Sequence, residues 1–361
     1  LQVLGETAPQ QQPQLWRSLV ERMAWIRFRQ GELTEAFNLA NSATAGLGEG
    51  NDDEPIVLAK LFNTLGGLSW QRGQLDEAVD YVERSLQLYE KLGYAWGQAT
   101  AYGNLGILYD ILGNWPRAIE YHQQAYTLHE AIGYLEGQAR SLDNLGFLHM
   151  IKGDHKAAGQ EMAASLSLRQ RLGESFGIAQ SRVNLAQLAL IQSRIEQAKT
   201  YAEDALTLAD TIGSSEVQIE ACWILALVQA ENDSLPIGLE TAKQALDMAR
   251  ADGQTAKEID CLRALGVLQA RAGETAEAEI LLGQAIELSL EQSDPYRQAQ
   301  ALLELGRMYQ SLAQTDYSAP VKWRAKALEI LTKAAEQFEA LGAAHDLNLA
   351  QAALSQVQNP T

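Results

Sequence analysis

The sequence predicts an all-α protein built from stacked helix pairs, and three observations carry that prediction. The first is composition: 361 residues, 47% hydrophobic, rich in Ala and Leu, with 8 Pro, which favours helices over sheets. The second is a turn signal that returns every 40 residues, at Gly73, Gly113, Gly153, Ser193, Asp233 and Gly273. A second set of turn residues interleaves with it at Gly93, Gly133, Gly173, Gly213, Gly253 and Ser293. The third is a small residue inside the helical segments at the same period. Leu precedes it each time, at Gly66, Gly106, Gly146, Ala186, Ala226, Gly266 and Gly306. A further series runs through Ala78, Ala118, Ala158, Ala198, Gly238 and Ala278. Four interleaved series at one period mark a repeat array in which each unit is a helix, a turn and a second helix.

The elements follow in chain order. Residues 1–13 are Gln- and Pro-rich and read as a linker. Residues 14–342 hold eight repeats. Their first helices are expected over 15–30, 55–72, 95–112, 135–152, 175–192, 215–232, 255–272 and 295–313. Their second helices are expected over 32–47, 74–92, 114–132, 154–172, 194–212, 234–252, 274–292 and 318–341. Gly closes "EKLG", "EAIG" and "QRLG", as helix C-termini require. "GLGEGNDDEP" is an irregular loop after the first repeat. The eighth repeat carries an insertion around "QTDYSAPVKWR", which predicts a longer second helix with Ser318 as its cap and Pro320 in the first turn. Residues 343–361 supply a capping helix and tail, because a solenoid must cover its last apolar face. The glycine inside each first helix is read as a seam residue. Leu105 and Gly106 face the second helix of their own pair, and Ala118 and Ala125 face back, so that the backbones approach closely.

Charge and motifs exclude several functions. A net charge of -18 and a pI near 4.7 repel nucleic acid and anionic membranes. The sequence has no apolar run long enough to span a bilayer. Cys222 and Cys261 are the two cysteines and read as buried thiols in a reducing, cytoplasmic protein. "GLGEG" at 46–50 follows a helix rather than a strand, so it is no phosphate cradle. His122, His129, His149 and His155 lack the spacing of a metal site and read as partly exposed residues. Asn232-Asp233-Ser234 reads as a turn. No nucleophile–base constellation is present, so neither cofactor nor enzymatic activity is expected. The chain begins at Leu1 and is expected to be a piece of a longer protein, whose other part would carry an activity.

The order Leu-Gly, then Ala twelve residues on, then a small residue seven further, resembles the tetratricopeptide repeat. The 40-residue period with its "NLG" phrase is similar to the arrays of Pins/LGN adaptors, of kinesin light chain, and of STAND signal-transduction ATPases. Two features depart from the family pattern. The aromatic residue expected three positions after the Gly is Tyr109 and Tyr309, but Ser69, His149, Ala189, Gln229 and Gln269 stand elsewhere, and the closing Pro is absent.

The resemblance implies an α-solenoid, a right-handed superhelix of eight repeats whose first helices line a concave groove. By the same resemblance, Asn104, Asn144 and Asn184 hold the backbone of a bound peptide, since a carboxamide both donates and accepts. Ile107, Ile111, Phe147, Met150, Ile151, Val183, Leu190, Ile191, Trp223 and Leu227 would form its solvent-facing apolar floor. Residues at the groove ends are mixed: Trp25, Arg29, Lys60, Asn63 and Trp70 at one, Glu220, Glu231, Asp260, Arg263, Arg271 and Arg307 at the other. The implied function is a protein- or peptide-binding scaffold, the sensor region of a larger bacterial signalling protein. The alternative is a self-association or autoinhibitory arm that packs on other domains of the same protein.

Overall fold

The structure, a computed structural model, describes residues 13–44, 55–232, 234–316 and 318–358. Most of the expected linker, most of the "GLGEGNDDEP" loop and Asp233 lie outside the described residues. Among the described residues there are seventeen helices and no strand. The first seven are α1 (Pro13–Arg29), α2 (Leu33–Thr44), α3 (Pro55–Gln71), α4 (Leu75–Lys91), α5 (Ala95–Ile111), α6 (Trp115–Ala131) and α7 (Leu135–Ile151). Next come α8 (His155–Leu172), α9 (Ser175–Ile191), α10 (Ile195–Ile212), α11 (Ser215–Glu231), α12 (Leu235–Ala251) and α13 (Thr255–Arg271). The last are α14 (Thr275–Glu291), α15 (Pro295–Thr315), α16 (Pro320–Leu341) and α17 (Ala344–Gln358). Most helix ends fall within one or two residues of the expected ones because the turns are locally encoded. Gly113 holds φ +72°, and Ser193 and Ser293 take the same left-handed conformation at φ 57° and 55°.

One cap differs. Ala319, not Ser318, precedes α16, and Pro320 opens it. The Ser318 N–H and hydroxyl both donate to Asp316 Oδ1, at 2.9 and 2.5 Å, and Trp323 Nε1 donates to Asp316 Oδ2 at 2.7 Å. A carboxylate two residues upstream captures the hydroxyl that would have capped the helix.

The chain forms two compact units, residues 1–141 and 142–361. In the first, α3 packs on α4, α4 on α5 and α5 on α6. In the second the same order runs from α9 to α17, and α17 covers α16 as the expected cap. Within that unit His345, at the start of α17, also reaches the turn before α8. Its ring lies 4.7 Å from that of His155, although 190 residues separate them in sequence.

The recurrent glycine is explained by what stands opposite. Ala118 and Ala125 are fully buried as expected, but the atoms that face Gly106 belong to His122. A Cβ there would lie 2.5 Å from the imidazole. Gly66 faces Val82, Gly146 faces Met162, Gly266 faces Leu282 and Gly306 faces Leu331. At the two repeats where the first helix carries Ala186 or Ala226, the matching second-helix residue is Ala202 or Ala242. A second seam shows the same exchange. Gly97, Gly137 and Gly177 lie against Tyr89, His129 and Arg169. At the following registers Val217, Lys257 and Arg297 stand where Ala209, Ala249 and Ser289 replace the large residue. Volume is conserved across each seam while its location moves between partners, which is how a close-packed interior tolerates divergent repeats.

The two seam histidines are therefore core residues rather than partly exposed ones. His122 and His129 are each 1% exposed. Burial, with Arg140 adding to it, pushes both down to about 4. Cys261 is buried and Cys222 half-buried. Burial raises both thiols.

Candidate functional site

In the first unit, the C-terminal half of α1, the middle of α3 and the N-terminal half of α5 border a cavity of about 710 Å³. That size lies in the range of ligand pockets. Trp25 and Ile26 come from α1 and Trp96 from the first turn of α5; Tyr94 comes from the turn that precedes it. The three exposed ones, Trp25, Ile26 and Trp96, are 53%, 47% and 44% exposed. Tyr94 stands between Tyr89 and Trp96, with ring centroids at 5.6 and 6.2 Å, so the aromatic wall is continuous. Tyr89 fills the volume left by Gly97, and burial pushes its phenol up to about 12. The rim is polar. Arg22, Lys60 and Glu21 line it, and among the described residues none of the three forms an ion pair.

Asn63 also lines this cavity, and it locates Asn104. The Asn104 Nδ2 donates to Asn63 Oδ1 at 2.8 Å, across adjacent first helices. The bond fixes both carboxamides. It leaves Asn63 Nδ2 as a donor and Asn104 Oδ1 as an acceptor, the two functions that one peptide unit requires. Ile107 is half-buried and Ile111 is 37% exposed. Both lie in this unit, further along α5.

The remaining expected site residues lie in the second unit. Asn144 and Asn184 are half-buried and form no side-chain hydrogen bond among the described residues. Phe147, Leu190, Ile191 and Leu227 are half-buried. The expected open floor is corrected at four positions. Met150, Ile151, Val183 and Trp223 are 1%, 3%, 2% and 5% exposed. Val183 and Trp223 belong to a core shared by α9 to α15, with Leu190 and Leu227 packed against it. Val183 and Trp223 therefore hold repeats together rather than face solvent.

The charges expected at the far end of the groove are consumed in pairs. Gln180 donates to Glu220 at 2.7 Å, and Glu220 also pairs with Lys257. Arg297 bridges Asp260 at 3.1 Å and Asp294 at 2.6 Å. Arg271 meets Glu231 at 2.6 Å, and Arg307 meets Glu304 at 3.1 Å. A deeper pair joins Arg169 to Asp143 at 2.7 Å, and Ser181 donates to the same carboxylate at 3.1 Å. Burial raises the Asp143 carboxyl against the opposing pull of Arg169.

Sequence reasoning placed Trp25, Lys60 and Asn63 at a groove end but missed Tyr94 and Trp96. The available signal was "GYAWG", two exposed-type aromatics between the turn glycine Gly93 and the seam glycine Gly97. Among the described residues no cluster of His, Cys, Asp and Glu could hold a metal, and no helix is long and apolar enough to cross a membrane.

Residues 57–131 and 137–211 match the family model described as tetratricopeptide repeat. The fold is a tetratricopeptide-repeat solenoid. The array is similar to apo RapI, at 16% identity and a TM-score of 0.67 over 77% of this chain and 98% of RapI. It is also similar to the Rap conjugation gene regulator of a plasmid in complex with a Phr peptide. That match has 14% identity and a TM-score of 0.55 over 95% of this chain and 96% of the regulator. A third similar structure is a STAND protein with a tetratricopeptide repeat sensor from Pyrococcus horikoshii, at 16% identity and a TM-score of 0.58. There the alignment covers 76% of this chain and 43% of that protein. At these identities the likeness concerns the fold of the array. No curated protein matches the sequence.

Proposed function

We propose that this array is a non-enzymatic, cytoplasmic peptide- or protein-binding scaffold, the sensor region of a larger signalling protein, and that its ligand docks in the aromatic cavity of the first unit. One observation carries the reading: an exposed aromatic wall, rim cations without an ion pair among the described residues, and Asn63, held by Asn104, converge on one cavity. Aromatic anchors beside polar groups are the usual composition of binding hot spots. The similar regulator with a bound Phr peptide and the similar STAND sensor support the ligand class and the role. Asn104 acts here with Asn63. Asn144 and Asn184 keep the same carboxamide chemistry in the second unit.

A phage-displayed random peptide library, panned on the chain, tests the reading. Selected peptides should lose about 30-fold in affinity on the double variant Trp25→Ala with Trp96→Ala, taking roughly 2 kcal/mol for a hot-spot pair. Selected peptides that bind wild type and double variant equally would remove the cavity from the function.

A further inference from the structure

A second cavity, of about 510 Å³, lies in the second unit between the second helices α8 and α10, over the C-terminal half of α9. It goes beyond the first-helix site, with which it shares no residue. Its lining includes Lys156 and Arg194 and contains no carboxylate, although the chain carries 46 Asp and Glu against 28 Lys and Arg. Among the described residues neither cation forms an ion pair. Gln160, Gln192 and Gln197 line the same cavity, and their carboxamides form no hydrogen bond among the described residues. Leu188 and Tyr201 supply an apolar strip.

A glycine opens the space. Gly159 stands where second helices of the same period carry Val79, Ile119, Lys199, Leu239 and Glu279. A Cβ there would lie 3.5 Å from Leu188 Cδ2, an ordinary contact, so neither a clash nor a left-handed turn accounts for the missing side chain.

We infer that this cavity binds an extended acidic peptide segment of a partner protein. The cations select carboxylates. Three carboxamides that each donate and accept match the unsatisfied N–H and C=O groups of an extended chain; a helix, whose backbone is already bonded, would leave them idle. The apolar strip takes one apolar side chain between the acids. The overall negative charge does not forbid this, because at physiological ionic strength the field of other surface carboxylates is screened within about 8 Å.

Fluorescence anisotropy with a labelled Glu-Asp-Leu-Glu-Asp peptide tests the site on the whole chain. The peptide should bind wild type with an affinity that falls as salt rises, and a Lys-Lys-Leu-Lys-Lys peptide should not bind. Lys156→Glu combined with Arg194→Glu should weaken binding tenfold or more. Gly159→Leu, which fills the space and favours the helix, should do the same without changing any charge. Trp25→Ala with Trp96→Ala should leave it unchanged, which separates this site from the first-unit cavity. Absence of wild-type binding, or binding that survives both the charge reversal and Gly159→Leu, would overturn the inference. Loss of binding in the Trp double variant would assign the peptide to the other cavity and overturn it equally.

Discussion

The two units use the same helix pair but treat its inward polar positions differently. Six residues before the seam positions stand Lys60, Thr100 and Arg140 in the first unit and, besides Gln300, the trio Gln180, Glu220 and Asp260 in the second. In the second unit these three are bonded to neighbouring first helices, through Glu220, Lys257 and Arg297. In the first unit Lys60 stays unpaired among the described residues and borders an aromatic cavity. A polar group already satisfied by its neighbour has little left to offer a ligand, because binding must first break that bond. One register thus serves cohesion in the second unit and leaves Lys60 without an ion pair among the described residues in the first, where the proposed ligand site lies.

The largest effect should come from breaking the cohesive side. Arg169→Ala leaves Asp143 buried without its counter-charge and should cost about 3–5 kcal/mol. Chemical denaturation should show the loss, and hydrogen exchange should place it in residues 142–361. A loss below about 1 kcal/mol would mean that the second unit is not held by its buried pairs.

The Trp25/Trp96 double variant should then weaken peptide binding about 30-fold, as described above, while melting stays near wild type, because both rings are about half exposed. A collapse of stability would turn the cavity wall into core and erase the contrast between the units.

Seam exchange supplies a sharper test. Gly106→Val should overpack against His122 and destabilise the chain by about 1–3 kcal/mol. Gly106→Ala with His122→Ala copies the Ala186–Ala202 pair of the second unit, and it should recover most of the loss that Gly106→Ala causes alone. A double variant no more stable than the single one would show that the seam volumes are not interchangeable.

Acid should act on the first unit through its seam histidines. His122 and His129 titrate near 4 when folded against an ordinary value of 6.5, so between these pH values the unfolded chain binds more protons. Their neutral burial stabilises fully above pH 6.5, and that stability is lost as pH falls toward 4. Thermal melts should show a smaller decline over this window in His122→Gln with His129→Gln than in wild type. Equal slopes would mean that these rings are already charged in the folded state.

The smallest effect concerns Asn104→Ala. It should weaken a cavity-bound peptide by about 0.5–1.5 kcal/mol, by releasing Asn63 and removing one acceptor. Calorimetry with a selected peptide would detect it. An unchanged affinity would confine Asn104 to bonding between repeats.

Sequence alone encodes the helices, because each boundary rests on local chemistry. A left-handed residue at 113 or 193, a Pro at the start of α15 and α16, and one unbroken period need no distant partner to be read. It also determined where small residues must sit along the seams. The tertiary structure alone decided which large residue fills each gap, since His122 meets Gly106 through the crossing of two helices. It alone decided that Val183 and Trp223 are core while Trp25 and Trp96 stay exposed, and that Asn104 binds Asn63. Inward-facing positions share one sequence register. Whether such a position is solvated depends on how closely the next first helix approaches and which side chain it brings from about 40 residues away, and local sequence does not encode that separation.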